Sequence, residues 1–183
     1  RFIGAIIMTH GDDNGLILPP RLAPYQVVLV PIFKKEDEKS AVMAATERMK
    51  QELIDAGVSV KVDDRDNLTP GFKYNDWELR GVPLRMEIGP RDVANNVVML
   101  ARRDMPGRDG KQSVAQDGIA QTVGALLKTI QADLLAKATK FRDDHTFTAK
   151  SYDEFKEMAQ QGFVRVWWAG SDADEKQVQQ ETK

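Results

Sequence analysis

An apolar strand, a long amphipathic helix and a second strand follow one another in the first third of the chain. Residues 26–32 form a continuous apolar run, which is typical of a strand covered on both faces. Pro31 indicates that the strand ends there. Residues 34–56 carry apolar side chains at helical spacing, and Gly57 suits the end of that helix. Valines then alternate with polar residues over 58–62. This order predicts two parallel strands within an α/β sheet.

The same alternation of elements continues to about residue 130. Thr69 is a suitable N-cap, with Pro70 at the first helical position, for a helix that ends near Gly81. The further predicted elements are strands at 83–88, 96–101 and 111–114, a hairpin turn at 105–110, and a long helix at 116–141. We therefore predict an α/β fold over residues 24–130, with a mixed sheet of about five strands flanked by three helices.

Residues 131–183 are predicted to begin a separate, small α+β unit. Ser151 resembles an N-cap, with Glu154 three residues later. An apolar stretch at 163–168 and a charged helix from residue 172 follow. The tryptophan pair at 167–168 is expected to lie in a core, as is Trp77.

The first 23 residues are predicted to be a helix and a connector. Phe2 to Met8 is an apolar helical run without an N-cap, so Arg1 is interpreted as a cut edge within a longer chain. A polar turn and a proline-rich crossing lead from it to the first strand of the sheet. Residues 1–23 are thus expected to end one domain and connect it to the next.

Composition excludes several classes of function. The chain contains no cysteine and two histidines, which excludes disulfides and disfavours a metal site. No apolar stretch approaches the roughly 20 residues needed to span a bilayer, so we expect a cytoplasmic protein without membrane contact. The net charge of −2 disfavours bulk binding of nucleic acid, but residues 65–111 carry nine basic against seven acidic residues. Contact with an anionic partner is therefore expected to be local and to use this region.

The densest group of functional side chains lies in residues 63–92. Glu78 and Asp92 can accept hydrogen bonds from a nucleic-acid base, while Arg85 and Arg91 can donate to guanine. An aromatic ring such as Phe72 could stack on an unpaired base. The alternative is that these charged side chains are simply exposed to solvent, and that Glu78–Arg80 or Arg85–Glu87 form surface ion pairs worth under about 1 kcal/mol.

Four blocks of the sequence resemble prolyl-tRNA synthetase, in its archaeal and eukaryote-like form. They are RFIGA (1–5) with MTHGDD (8–13), LPPRLAP (18–24), DDR (63–65) with WELRGVPLR (77–85), and EIGPRD (87–92). The resemblance implies the anticodon-binding domain of a class II synthetase. It further implies that the intact enzyme, a homodimer, attaches proline to tRNA with ATP and Mg²⁺. Arg1 then matches the motif-three arginine along the ATP phosphates, and these 183 residues, which hold no catalytic residue, are expected to be inactive alone.

The resemblance also assigns roles at the anticodon, whose second and third bases are guanine in proline tRNA. Glu78, Arg85 and Asp92 match base-reading positions, and Arg91 stands where some relatives have lysine. By charge and position alone, a further set is expected to contact the RNA backbone: Arg65, Lys73 and Arg80. The C-terminal unit resembles the start of an extra domain that holds zinc through cysteines in many members, whereas this chain has none.

Two other classes of function remain open from the residues. A protein-interaction or accessory module of the same fold, which has lost base reading, would bind without regard to anticodon sequence. A small-molecule α/β enzyme would need a nucleophile or a phosphate-binding loop, and neither signature is found in the sequence.

Overall fold

The computed structural model describes residues 1–182, which form two compact units, the first Arg1–Leu134 and the second beginning at Leu135. Among these 182 residues no helix combines the length and apolarity needed to cross a membrane. The elements of the first unit are α1 (Phe2–His10), β1 (Gly11–Asp12), β2 (Gly15–Leu16), β3 (Val27–Pro31), α2 (Glu36–Asp55), β4 (Val60–Val62), α3 (Pro70–Leu79), β5 (Leu84–Ile88), α4 (Pro90–Ala94), β6 (Val97–Arg102), β7 (Lys111–Ala115) and α5 (Ile119–Asp144), the last of which continues into the second unit.

A mixed five-stranded sheet forms the centre of the first unit, in the order β4-β3-β5-β6-β7. β3 pairs in parallel with both β4 and β5, while β5–β6 and β6–β7 are antiparallel. Parallel neighbours need crossover connections, which α2 and α3 supply. The predicted α/β class and the mixed sheet of five strands are confirmed.

The two faces of the sheet are covered by different helices. On one face Val27 and Leu29 belong to a core built with side chains of α2 and α5. On the other face Val28 and Val30 pack with Trp77 of α3. Because side chains alternate along a strand, this arrangement decides which residues of the neighbouring β5 lie under α3.

Local signals for α3 are confirmed, whereas α4 was not predicted. The Thr69 hydroxyl accepts a hydrogen bond from the Phe72 amide, and Pro70 begins the helix. β5 ends at Ile88, as predicted, and Pro90 begins the short helix α4. Proline is tolerated at the first helical position, because the N–H group that it lacks would have no partner within the helix.

The second unit contains a two-stranded parallel sheet and two helices. Its elements after α5 are β8 (Thr146–Thr148), α6 (Tyr152–Ala159), β9 (Phe163–Arg165) and α7 (Asp172–Glu181). The Ser151 hydroxyl accepts a hydrogen bond from the Glu154 amide, as its N-cap pattern predicts. The core expectation for the tryptophans is confirmed at Trp77 and wrong at Trp167, which is fully exposed, and at Trp168, which is more than half exposed.

Gly81→Ala is expected to lower the free energy of unfolding more than Gly57→Ala. Both glycines have positive φ angles, 76° and 78°, where an L side chain costs about 1–2 kcal/mol. A Cβ at Gly81 would also lie 2.7 Å from the backbone carbon of Leu16, whereas a Cβ at Gly57 meets nothing within 4 Å. The clash should add about 1–3 kcal/mol to the loss. Urea unfolding of both variants measures the difference, and equal losses would contradict close packing at Gly81.

Candidate functional site

A buried arginine joins α3 to β5 and forms the centre of the candidate site. Arg85 pairs in register with Val28, so its side chain lies on the face of the sheet that α3 covers, and it is only 7% exposed. Its Nη1 donates to Glu78 Oε1 at 2.7 Å, and its Nε donates to Glu87 Oε1 at 3.0 Å. Two predicted site residues, Glu78 and Arg85, are therefore in direct contact.

Tyr74 and Lys111 complete this cluster, and the sequence analysis missed both. The Arg85 guanidinium lies 4.1 Å from the centre of the Tyr74 ring, and Lys111 Nζ lies 3.2 Å from Glu87 Oε1. Burial raises the pKa of Tyr74, and the charge and hydrogen bonding of Glu87 raise it further. One signal was available, since Tyr74 precedes Glu78 by four residues and therefore shares its face of the helix.

Asp92 and Arg91 lie beyond the carboxyl end of β5, on α4. Asp92 Oδ2 accepts a hydrogen bond of 2.8 Å from the Gly89 amide. Its negative charge also contributes to the raised pKa of Tyr74, so Asp92 lies within electrostatic reach of the cluster. Arg91 is exposed to solvent. Glu78 and Arg85 are thus in direct contact, and Asp92 lies on α4, beyond the end of the strand that carries Arg85.

The ion pairs of this region are more buried than surface ion pairs, and one of them joins other residues than the sequence alternative named. Arg85 does pair with Glu87, but both side chains are largely buried, at 8% and 12% exposure. Glu78 pairs with Arg85, and Arg80 Nε instead donates to Asp76 Oδ1 at 3.0 Å. Burial of an arginine under a helix carries a desolvation cost that a surface pair does not. The cluster is therefore part of the packed interior between α3 and β5, and not a set of surface charges.

A second polar network at the end of β4 contains the three predicted backbone-contacting residues. Arg65 donates to Asp63 from Nε at 2.8 Å and from Nη2 at 2.6 Å. Lys73 is buried, and its Nζ donates to the backbone oxygen of Asp63 at 3.1 Å. Arg80 is more than half exposed and lies over the Trp77 ring. Of the three cations, Arg80 offers the most surface to a phosphate group.

The remaining predicted site residue, Arg1, is exposed at the start of α1. In the part of the chain that the structure describes, no three His, Asp or Glu side chains converge as a metal site would require. Asp12, from the polar turn after α1, is bound to Arg103 instead.

The charges of the cluster balance, which favours a neutral polar ligand over a phosphate group. Two carboxylates, Glu78 and Glu87, are matched by two cations, Arg85 and Lys111. Glu78 is 39% exposed at its side chain and presents an acceptor oxygen at the surface. A carboxylate of this kind accepts from the N–H groups of a base, and a guanidinium donates to guanine O6 and N7. The arrangement can therefore recognise the edge of an unpaired base.

Comparison with known proteins agrees with this chemistry. A family described as "Anticodon binding domain" matches residues 26–126. Over the whole chain, the sequence is 54% identical to a proline–tRNA ligase of Roseiflexus sp. (strain RS-1) and 55% identical to one of Chloroflexus aurantiacus (strain ATCC 29366 / DSM 635 / J-10-fl). It is 50% identical to a chloroplastic/mitochondrial proline–tRNA ligase of Arabidopsis thaliana. The chain spans 38% of the length of the two bacterial relatives and 34% of the plant one.

Proposed function

The chain belongs to the anticodon binding domain family, and on that premise we propose that it recognises the anticodon of proline tRNA. The observation that carries the proposal is the contact between the buried Arg85 guanidinium and the half-exposed Glu78 carboxylate at 2.7 Å. Relatives that match the chain along its full length are named proline–tRNA ligases. This supports proline tRNA as the ligand.

Glu78 and Asp92 are proposed to accept hydrogen bonds from the Watson–Crick edge of the second and third anticodon bases, both guanine. Guanine presents N1–H and an N2 amino group there, and adenine lacks this pair of donors. Arg91 is exposed and free to approach O6 or N7, whereas Arg85 already donates to two carboxylates. We therefore propose that the main role of Arg85 is to hold Glu78 in place. Arg85 can contact the base only if it gives up one of these two hydrogen bonds.

Contacts with the RNA backbone are proposed for Arg80 alone among the three cations considered. Its side chain is 57% exposed, and it lies on the turn that follows Glu78. Lys73 is left out because its ammonium group is buried, and Arg65 because two carboxylates bind its guanidinium. Phe72 is exposed at the first turn of α3 and can stack on an unpaired base.

In the whole protein, this domain is proposed to serve a homodimeric ligase that attaches proline to tRNA with ATP and Mg²⁺. The relatives' names support attachment of proline to tRNA, and the chain spans only 38% of their length. Arg1, at the start of the exposed α1, is proposed to lie along the ATP phosphates. The alternative, an accessory module of the same fold, predicts binding that ignores the anticodon.

Titration of an anticodon stem-loop tests the proposal. The native proline stem-loop should bind more tightly than variants with adenine at the second or third position, by about 1–3 kcal/mol for each base. Fluorescence anisotropy at one stated salt concentration measures the dissociation constants, since phosphate contacts make RNA affinity depend on salt. Equal affinities for all three stem-loops would reject base reading and favour the accessory module.

A further inference from the structure

Arg103 connects the proposed reader residue Glu78 to the segment that precedes the sheet. It follows β6, is 6% exposed, and donates from Nε to the backbone oxygen of Glu78 at 2.9 Å. Its two terminal nitrogens donate to the carboxylate of Asp12, at 2.9 Å to Oδ2 and 2.5 Å to Oδ1. The amide of Arg103 also donates to the oxygen of Pro83 at 3.0 Å. One side chain thus binds β1 and the last turn of α3 together.

The contact with Arg103 matters because Glu78 lies in the last turn of α3. Carbonyl groups in the last turn of a helix lack partners within the helix, and here the Glu78 oxygen accepts from Gly81 and from Arg103. A cation at this end also interacts favourably with the helix dipole. The direction of the Glu78 side chain therefore depends on a backbone that Arg103 holds in place.

The β1–β2 hairpin packs closely against the same turn. A Cβ on Gly15 would lie 2.5 Å from the Leu79 Cα, so only glycine permits this approach. The Leu18 amide donates to the Gly81 oxygen at 3.1 Å. The hydrogen bonds from Arg103 also lower the pKa of Asp12, so the pair is ionised at neutral pH. The hairpin and the end of α3 are thus joined at Leu79 and Gly81, directly after Glu78.

We propose that Asp12 and Arg103 are positioning residues for base reading, which fix the backbone of Glu78 and link anticodon recognition to the hairpin that follows α1. The inference rests on the proposed role of Glu78. Neither residue touches the base. Loss of the pair should therefore reduce the discrimination between guanine and adenine while the number of phosphate contacts, and with it the salt dependence, stays the same.

Asp12→Asn in the 183-residue chain is the test variant, and Asp13→Asn, at the exposed neighbouring carboxylate, is its matched control. We expect Asp12→Asn to reduce the ratio of affinities for the native and adenine-substituted stem-loops by about three- to tenfold, as weakening one hydrogen bond would. Asp13→Asn should leave the ratio unchanged. Arg103→Gln should lower the ratio at least as far, and a thermal melt checks that each variant is folded.

Two results from the variants would overturn the inference. A folded Asp12→Asn variant with an unchanged ratio would leave the pair a purely structural role. Equal weakening of both stem-loops by Arg103→Gln, with a shallower salt dependence, would show that Arg103 contacts phosphate. If the unmodified chain itself does not discriminate between the stem-loops, the proposed function fails, and this inference fails with it. That outcome is visible before any variant is compared.

Discussion

Glu78→Ala is expected to weaken binding of the native proline stem-loop by roughly 5- to 150-fold and to abolish the preference for guanine at the base that Glu78 reads. The half-exposed carboxylate is the acceptor that the Arg85 contact orients. Its removal takes away the acceptor for the guanine N1–H and N2 amino groups. Arg85 keeps its contact with Glu87, so the fold beneath should persist.

Inosine makes this measurement specific to one edge of the base, because its base, hypoxanthine, is guanine without the N2 amino group. The unmodified chain should lose affinity when inosine replaces the guanine that Glu78 reads, whereas Glu78→Ala should bind both stem-loops alike. Lys50→Ala is the control, since Lys50 lies on α2 and its Nζ pairs with Glu47 at 2.9 Å. If inosine costs the variant as much as it costs the unmodified chain, another group reads that edge.

Local sequence signals were sufficient for most of the central sheet. A continuous apolar run, an amphipathic helix and alternating valines identified β3, α2 and β4, because each pattern reflects burial that a single element imposes. Thr69 and Ser151 identified two helix starts, because capping is a contact within four residues. The polar group at 63–92 made Glu78, Arg85 and Asp92 candidates for contact with a base, and the resemblance matched them to base-reading positions; these roles remain proposals.

The features that local sequence patterns could not predict depend on packing between distant segments. A surface ion pair between Arg85 and Glu87 was the alternative from the sequence, but α3 covers that face and buries the guanidinium. The contact between Asp12 and Arg103 joins residues 91 positions apart, so no short pattern contains it. In the second unit, the aromatic stretch after β9 has the composition of a core, yet Trp167 is exposed.

The polar network around Asp63 determines where α3 lies, and through it where Glu78 lies. Asp63 follows β4 and is 2% exposed. Its carboxylate accepts from two nitrogens of Arg65 and, at 2.7 Å, from the indole Nε1 of Trp77 in the middle of α3. The buried Lys73 of the same helix donates to the Asp63 backbone oxygen. A single side chain thereby connects the end of a strand to the helix that carries the proposed reader.

Asp63→Ala is expected to lower the free energy of unfolding by about 3–5 kcal/mol, because it leaves Lys73 and the Trp77 indole N–H buried without the carboxylate. A loss of this size is a large fraction of the roughly 5–15 kcal/mol that stabilises a domain. The matched control is Asp64→Ala at the exposed next position, where the change should stay within about 0.5 kcal/mol. Urea unfolding at pH 7 measures both.

The pH dependence of the same comparison shows whether the Asp63 charge is responsible. Burial alone raises the pKa of Asp63, but hydrogen bonds from Arg65 and Trp77 outweigh it and lower the pKa from 3.8 to about 2. A carboxyl group with a lower pKa in the folded state stabilises the fold above its unfolded pKa, and this contribution is lost as the pH falls through the folded value. The difference between the unmodified chain and Asp63→Ala should therefore be constant above about pH 5 and shrink by about 2 kcal/mol toward pH 2. A difference that does not change over this range would mean that packing of the side chain, rather than its charge, holds α3 on the sheet.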